Sequence, residues 1–237
     1  MKMKYVFAAL IFTLMVTETE AFQADGLIEP YRVIRIGSPQ VGVLKTVNVD
    51  RGDYVKTGQV LATLHSNVEN ATLELKKAQK DFAERKKDRL APLFNKDLIT
   101  ANEMDEVETG RALTEADYKH AAEIVSRLSI RSTIDGVVVE RYMSPGEYVE
   151  NQPILKVAQI DPLNVELILP SDKYRVIKVG MKAKVIPEKP MDGQYFAVVT
   201  IVDRVIDAAS GTFGVRLTLP NPNHALPAGL KCKVIFP

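Results

Sequence analysis

The chain has 237 residues, of which 46% are hydrophobic and 26% charged, with a formal net charge of +1. That composition belongs to a soluble folded protein with room for two or three small domains. Near-neutral charge without a long basic run removes the electrostatic footprint of a nucleic-acid binder, and the single cysteine, Cys232, excludes an intrachain disulfide.

Residues 1–21 read as an export signal. Lys2 and Lys4 precede the apolar run from Tyr5 to Val16, and Thr19 and Ala21 put small residues at −3 and −1 of a cleavage site. Twelve apolar residues are too few to cross a bilayer core of about 30 Å. The alternative is a buried N-terminal strand or helix. No cysteine follows the run, so no N-terminal lipid anchor is expected and the mature chain should be exported and soluble. Residues 22–38 contain "EPYRVIRI", a predicted strand that pairs into the repeat or the barrel described below.

The segments 39–66 and 130–159 are copies of one pattern. At a constant offset of 94, Gly42 falls on Gly136, Gly52 on Gly146, Tyr54 and Val55 on Tyr148 and Val149, and Leu61 on Leu155. Each copy is a β-rich run, a glycine-centred turn and a second short apolar run, which predicts a hairpin-like unit. Gly52 and Gly146 supply the backbone freedom of the turn. One unit cannot bury its apolar face alone, whereas two can close on each other. The pair resembles the biotinyl/lipoyl carrier fold, whose halves join through a tight turn bearing an acylated lysine. Here Ser66 to Ile130 lies where that turn would be, so the resemblance covers the scaffold without the chemistry.

Residues 67–129 predict an antiparallel helical hairpin. Val68, Ala71, Leu75, Ala78 and Phe82 follow 3-4 spacing, as do Met104, Val107, Arg111, Thr114, Tyr118, Ala121, Val125 and Leu128. Such stripes are coiled-coil seams. The break between the arms, "LFNKDLITANE", has Asn95, Asp97 and Asn102 as turn formers and Thr100 as N-cap. Folded back, the arms pair residues whose numbers add to about 196, so Phe82 meets Thr114, Ala78 meets Tyr118 and Ala71 meets Val125. Arms of about 28 residues project roughly 40 Å. Arg85 facing Arg111 predicts a looser, more solvated outer third, and Pro92 a kink or end of the first arm.

From residue 160 to 237 the pattern turns β. Leu163, Val165, Leu167 and Leu169 alternate with less apolar residues, as do Phe213, Val215, Leu217 and Leu219. "SDKYRVIKVG" predicts a short helix capped by Ser171 and ended at Gly180. Short strands split by proline and glycine turns predict a small β-barrel, with Cys232 a buried strand residue in "LKCKVIF". The fold class is thus mainly β with an α-helical hairpin: a split lipoyl-like domain interrupted by the hairpin and followed by the barrel.

In this order, "SPQVGVLKTVNVDRGDYVKTGQVLATL", "GVVVERYMSPGEYVENQPILKVAQIDPLNVEL", "KVGMKAKV" and "VIDAASGTFGVRLTLPNPNHALPAGLKCKV" resemble the periplasmic adaptor (membrane fusion protein) family of Gram-negative tripartite efflux and secretion systems. The resemblance implies a non-catalytic periplasmic adaptor without cofactor. It links an inner-membrane transporter, with the resistance-nodulation-division (RND) class favoured, to an outer-membrane channel. It further implies a homo-oligomeric ring, a hexamer in the family. Family members touch the channel through an arginine, a leucine four residues on and a serine seven beyond that; Arg89, Leu93 and Thr100 match, with threonine keeping the hydroxyl. The plain alternative makes Arg89 a solvated helix residue and Leu93 a last seam residue. Compared with larger members, the membrane-proximal β-domain is expected to be lacking.

The rivals are an adaptor of an ATP-driven (ABC-type) exporter or type I secretion system, a lipoyl/biotinyl-type carrier and a metal-binding periplasmic chaperone. His65, His120 and His224 have no ligand spacing to one another or to Cys232, so no metal site is expected. Arg51, Gly52 and Asp53 spell an adhesion tripeptide, but Gly52 is the repeat's turn glycine. No phosphate loop, dinucleotide fingerprint or nucleophile elbow is present, and nothing marks an enzyme.

Overall fold

A computed structural model describes residues 22–237, and the expected export signal lies outside them. The elements are β1 (Phe22–Gly37), β2 (Gly42–Val47), β3 (Tyr54–Val55), β4 (Val60–Leu64), α1 (Asn67–Phe94), α2 (Ala101–Arg127), β5 (Ser129–Arg131), β6 (Gly136–Arg141), β7 (Tyr148–Val149), β8 (Pro153–Pro170), β9 (Lys182–Pro187), β10 (Tyr195–Val202), β11 (Thr212–Leu219) and β12 (Leu230–Phe236). They form two compact units. One comprises residues 30–163 and 221–228, the other residues 22–29 with 164–220 and 229–237.

The first unit closes the two copies by exchange. Tyr54 of β3 pairs with Val137 of β6, and Tyr148 of β7 with Val43 of β2, each the image of the other at the same offset. The turns obey it too: Gly52 N–H donates to the Val138 carbonyl and Gly146 N–H to that of Leu44, at 2.9 and 2.8 Å. Their φ values are +96° and +91°, a backbone region in which a Cβ is strained, so glycine is required there for its backbone alone. In both copies the strand register shifts at the equivalent place, between Leu44 and Thr46 and between Val138 and Glu140. The core repeats the symmetry: Leu44 with Val138, Val55 with Val149, and Leu61 with Leu155 are all buried. Each such aliphatic chain contributes about 1.5–3 kcal/mol relative to exposure.

The second unit is a six-stranded barrel in the order β1–β12–β9–β10–β11–β8, with β8 pairing back to β1. Val165, Leu167, Leu169, Phe213, Val215, Leu217 and Leu219 are all buried in it, Leu163 is buried at the end of the first unit, and Cys232 is buried as expected. One expectation is extended and one corrected. "EPYRVIRI" lies in a strand as expected, and that strand begins earlier, with Phe22 to Ile28 pairing against Phe236 to Leu230. The predicted helix over 171–180 shrinks to one 3-10 turn, Ser171–Lys173. Ser171 makes no side-chain cap; its N–H donates to the Gly211 carbonyl, and Gly180 N–H to that of Val199. The barrel claims these backbone groups, Ile177 is buried and Tyr174 packs edge-on to Phe213 at 5.1 Å, so tertiary contacts override the helical pattern.

Candidate functional site: the helical hairpin and its tip

The hairpin grows out of the sheet of the repeat. β4 and β5 pair antiparallel, Ala62 beside Ile130, and Leu64 N–H donates to the Leu128 carbonyl, so α1 and α2 stand where a carrier fold has its lysine turn. Lys76 meets Asp117 at 2.7 Å and Lys87 meets Glu108 at 3.6 Å, which sets α1 residues level with α2 residues numbered about 194 minus their own.

The α2 stripe faces its partner as expected; Met104, Val107 and Ala121 are buried. The α1 stripe does so only at Phe82, which lines a groove with Val107, Arg111 and Thr114. Val68 is 75% exposed, Leu75 57% and Phe82 57%, and Ala71 and Ala78 are exposed as well. The inward face of α1 is Leu73, Lys76, Lys80, Ala83, Lys87 and Leu90, all half-buried at the same 4-3 spacing but shifted in phase. Lysine occupies a seam because its aliphatic stem covers the neighbouring helix while the ammonium reaches an edge partner. Here those partners are Asp117, Glu108 and the Tyr118 ring, 5.1 Å from Lys80 Nζ. The expected pairing of Ala78 with Tyr118 therefore gives way to Lys80. The outer third is also not the loose part: Met104 and Val107, buried, lie in the first two turns of α2. Arg85 is exposed, and Arg111 is held by Glu115 on its own helix at 3.0 Å, so the expected arginine clash does not arise.

Pro92 sits inside α1, two residues before its end, and the chain turns directly after. Leu98 N–H donates to the Leu93 carbonyl and Asp97 N–H to that of Phe94, with Asp97 at φ +56°. This is a Schellman stop. α2 then starts on a full capping box: Thr100 Oγ1 accepts from Glu103 N–H at 3.2 Å, and Glu103 Oε2 accepts from Thr100 N–H at 2.8 Å. These bonds hold the Glu103 carboxyl below the usual glutamate value, the Thr100 backbone bond contributing most.

The tip thus has a fixed shape and an apolar surface. Leu93, Phe94 and Leu98 are exposed, at 37%, 39% and 66%. Arg89 is exposed on α1 one turn before Leu93, whereas the Thr100 hydroxyl is engaged in the capping box. Sequence reasoning did not single out Phe94 or Leu98. Their signal was available, since large apolar residues flank the turn formers "NKD" where no core can take them. Among the described residues no helix is long and apolar enough to cross a membrane, and no group of three or more His, Cys, Asp or Glu is placed to hold a metal ion.

Residues 32–159 match the family described as CzcB-like, barrel-sandwich hybrid domain. The chain is 27% identical over 207 residues to the cobalt-zinc-cadmium resistance protein CzcB of Cupriavidus metallidurans, covering 80% of this chain and 39% of that protein. It is 24% identical over 221 residues to the solvent efflux pump periplasmic linker SrpA of Pseudomonas putida, covering 86% and 58%. It spans about half the length of the curated relatives it matches. In fold it is similar to a crystal structure of a MacA-MexA chimeric protein containing the Pseudomonas aeruginosa MexA α-hairpin domain. The TM-score is 0.77 at 19% identity, over 91% of this chain and 78% of that one.

Proposed function

The chain belongs to the periplasmic adaptor (membrane fusion protein) family through its CzcB-like barrel-sandwich hybrid domain, and from that premise we propose that it links an inner-membrane transporter of the RND class to an outer-membrane channel. It acts in the periplasm, as a homo-oligomeric ring of six, and performs no bond chemistry. The barrel follows the transporter and the hairpin tips engage the channel.

The observation that carries this reading is the tip. A hairpin reaching roughly 40 Å ends in exposed Leu93, Phe94 and Leu98 on a turn locked by a Schellman stop and a capping box. Exposed apolar anchors on a pre-ordered turn, with a cation one helical turn away, are the ingredients of a small protein–protein contact. Leu93 buries against the channel, and Arg89 donates to channel carbonyls or carboxylates. Thr100 serves by holding the turn, with its hydroxyl committed to Glu103. The relatives' names span cobalt-zinc-cadmium resistance and a solvent efflux pump periplasmic linker, which supports an efflux role and favours no single cargo.

The test is photo-crosslinking in the native envelope with probes at Leu93 and at Lys173, followed by mass spectrometry. An outer-membrane channel captured at Leu93 and a proton-driven pump at Lys173 are the expected products. An ATP-driven exporter at Lys173 assigns a different motor. No envelope partner at either position overturns the adaptor role, and an added lipoyl or biotinyl mass on the intact protein replaces it with the carrier reading.

A further inference from the structure

The last residues of β1 and the passage from α2 into β5 enclose a cavity of about 480 Å3 within the first unit. The two stretches that form it, "IRIGSP" (34–39) and "RLSIRST" (127–133), hold three arginines and no acidic residue. Arg35, Arg127 and Arg131 line the cavity with the hydroxyl residues Ser129 and Thr133, while Ile34, Ile36 and Ile130 make up its apolar side. Each guanidinium is steadied by a partner. Arg127 Nε meets Glu123 at 3.0 Å, Arg131 donates to the Gly58 carbonyl at 2.8 Å, and Arg35 reaches the Tyr142 hydroxyl. A guanidinium carries five N–H donors, so most of them stay available to a ligand. Glu123, and Glu140 on the same Tyr142 hydroxyl, stand outside the lining.

From this arrangement we propose that the cavity at the base of the hairpin binds the phosphate group of a phosphate monoester. The site goes beyond the adaptor reading and does not depend on it. Three cations around one cavity of this size repel one another across about a Debye length, roughly 8 Å, and a bound anion relieves that repulsion. A carboxylate fills a single guanidinium fork. A phosphate monoester, close to dianionic at neutral pH, has three oxygens to share among several forks and hydroxyls, and its charge-assisted bonds are the strong ones. The volume lies within the range of small-molecule sites, about 300–1,000 Å3. Inorganic phosphate alone would leave the isoleucine side empty, so the ligand carries an organic body that rests on Ile34, Ile36 and Ile130. A soluble organophosphate and a phosphatidic-acid-type headgroup share this chemistry.

Titration calorimetry on the purified full chain tests the site with three probes: glycerol 3-phosphate, dihexanoyl phosphatidic acid kept below its micelle concentration, and dihexanoyl phosphatidylcholine as the control. The expected result is one-to-one binding of at least one phosphate monoester, with the choline ester at least about tenfold weaker because it lacks the second negative charge. Binding of both monoesters marks a site for soluble organophosphates, and binding of the phosphatidic acid alone marks a lipid headgroup site. Arg35→Gln and Arg127→Gln, tested separately, should each weaken that binding about tenfold or more. Both residues are exposed, so each variant should keep its fold, which a circular dichroism melt checks. Arg131 is left in place because its bond to the Gly58 carbonyl ties β5 to the preceding turn. Failure of both monoesters to bind, equal binding of the choline ester, or binding that survives both substitutions overturns the proposal.

Discussion

Gly42 and Gly136 occupy the same place in the two copies of the repeat, yet alanine should have opposite effects at the two. Each pairs with the valine of a two-residue edge strand, Gly42 with Val149 and Gly136 with Val55. The difference lies on the other side. A Cβ at Gly42 would rest 3.8 Å from the Leu64 methyls, an ordinary contact, whereas at Gly136 it would stand 2.3 Å from the Ala158 carbonyl oxygen and 2.8 Å from its carbon. Relief requires β8 to retreat by roughly 1 Å where Val137 pairs with Ala158. Overpacking of this kind costs about 1–3 kcal/mol, offset by about 0.4–1 kcal/mol of unfolded-state entropy lost with glycine. The mid-range net cost is about 1.3 kcal/mol, and at about 2–4 °C per kcal/mol for a chain of this size Gly136→Ala should lower Tm by about 3–5 °C. Gly42→Ala keeps only the entropic gain and should raise Tm by about 1–4 °C. Thermal melts followed by circular dichroism read both. Equal shifts, or a Gly136→Ala chain that melts at or above the parent temperature, would refute the steric account.

Two further predictions concern the hairpin and the repeat. Thr100→Ala removes the hydroxyl of the capping box and should speed amide exchange in the first turn of α2 about fivefold. Thr100→Ser should restore the parent rate, and unchanged exchange in the alanine variant would show that the cap does not hold the tip. Asp135 Oδ1 accepts from Thr57 N–H at 2.6 Å and from its hydroxyl at 2.8 Å, and the backbone bond first, then the hydroxyl, hold its pKa below 3.8. A depressed carboxylate keeps its bonds above the unfolded pKa and loses them as pH falls through the folded one. The Thr57 amide resonance should therefore titrate with a midpoint below 3.8; a midpoint at or above that value would mean the bond does not form in solution.

The repeat was legible because it is written twice: a fixed offset carries turn glycines, edge strands and core positions together, and strand alternation in the barrel has only two faces to choose between. The position of the hairpin between the halves was legible for the same reason. Periodicity showed that α1 has an apolar stripe but not what the stripe faces. Leu73 with Lys76, Lys80 and Lys87 outcompeted Val68 and Leu75 for the seam, because lysine stems bury against α2 while their ends find Asp117, Glu108 and the Tyr118 ring. The 3-10 turn at Ser171 and the pairing of Phe22 to Ile28 with the last strand also depended on partners distant in sequence, Gly211 and Phe236 to Leu230. Local pattern determines which residues need burial. Which of several eligible surfaces receives it is decided only when the chain closes, since that choice is a difference between contacts made by residues far apart along it.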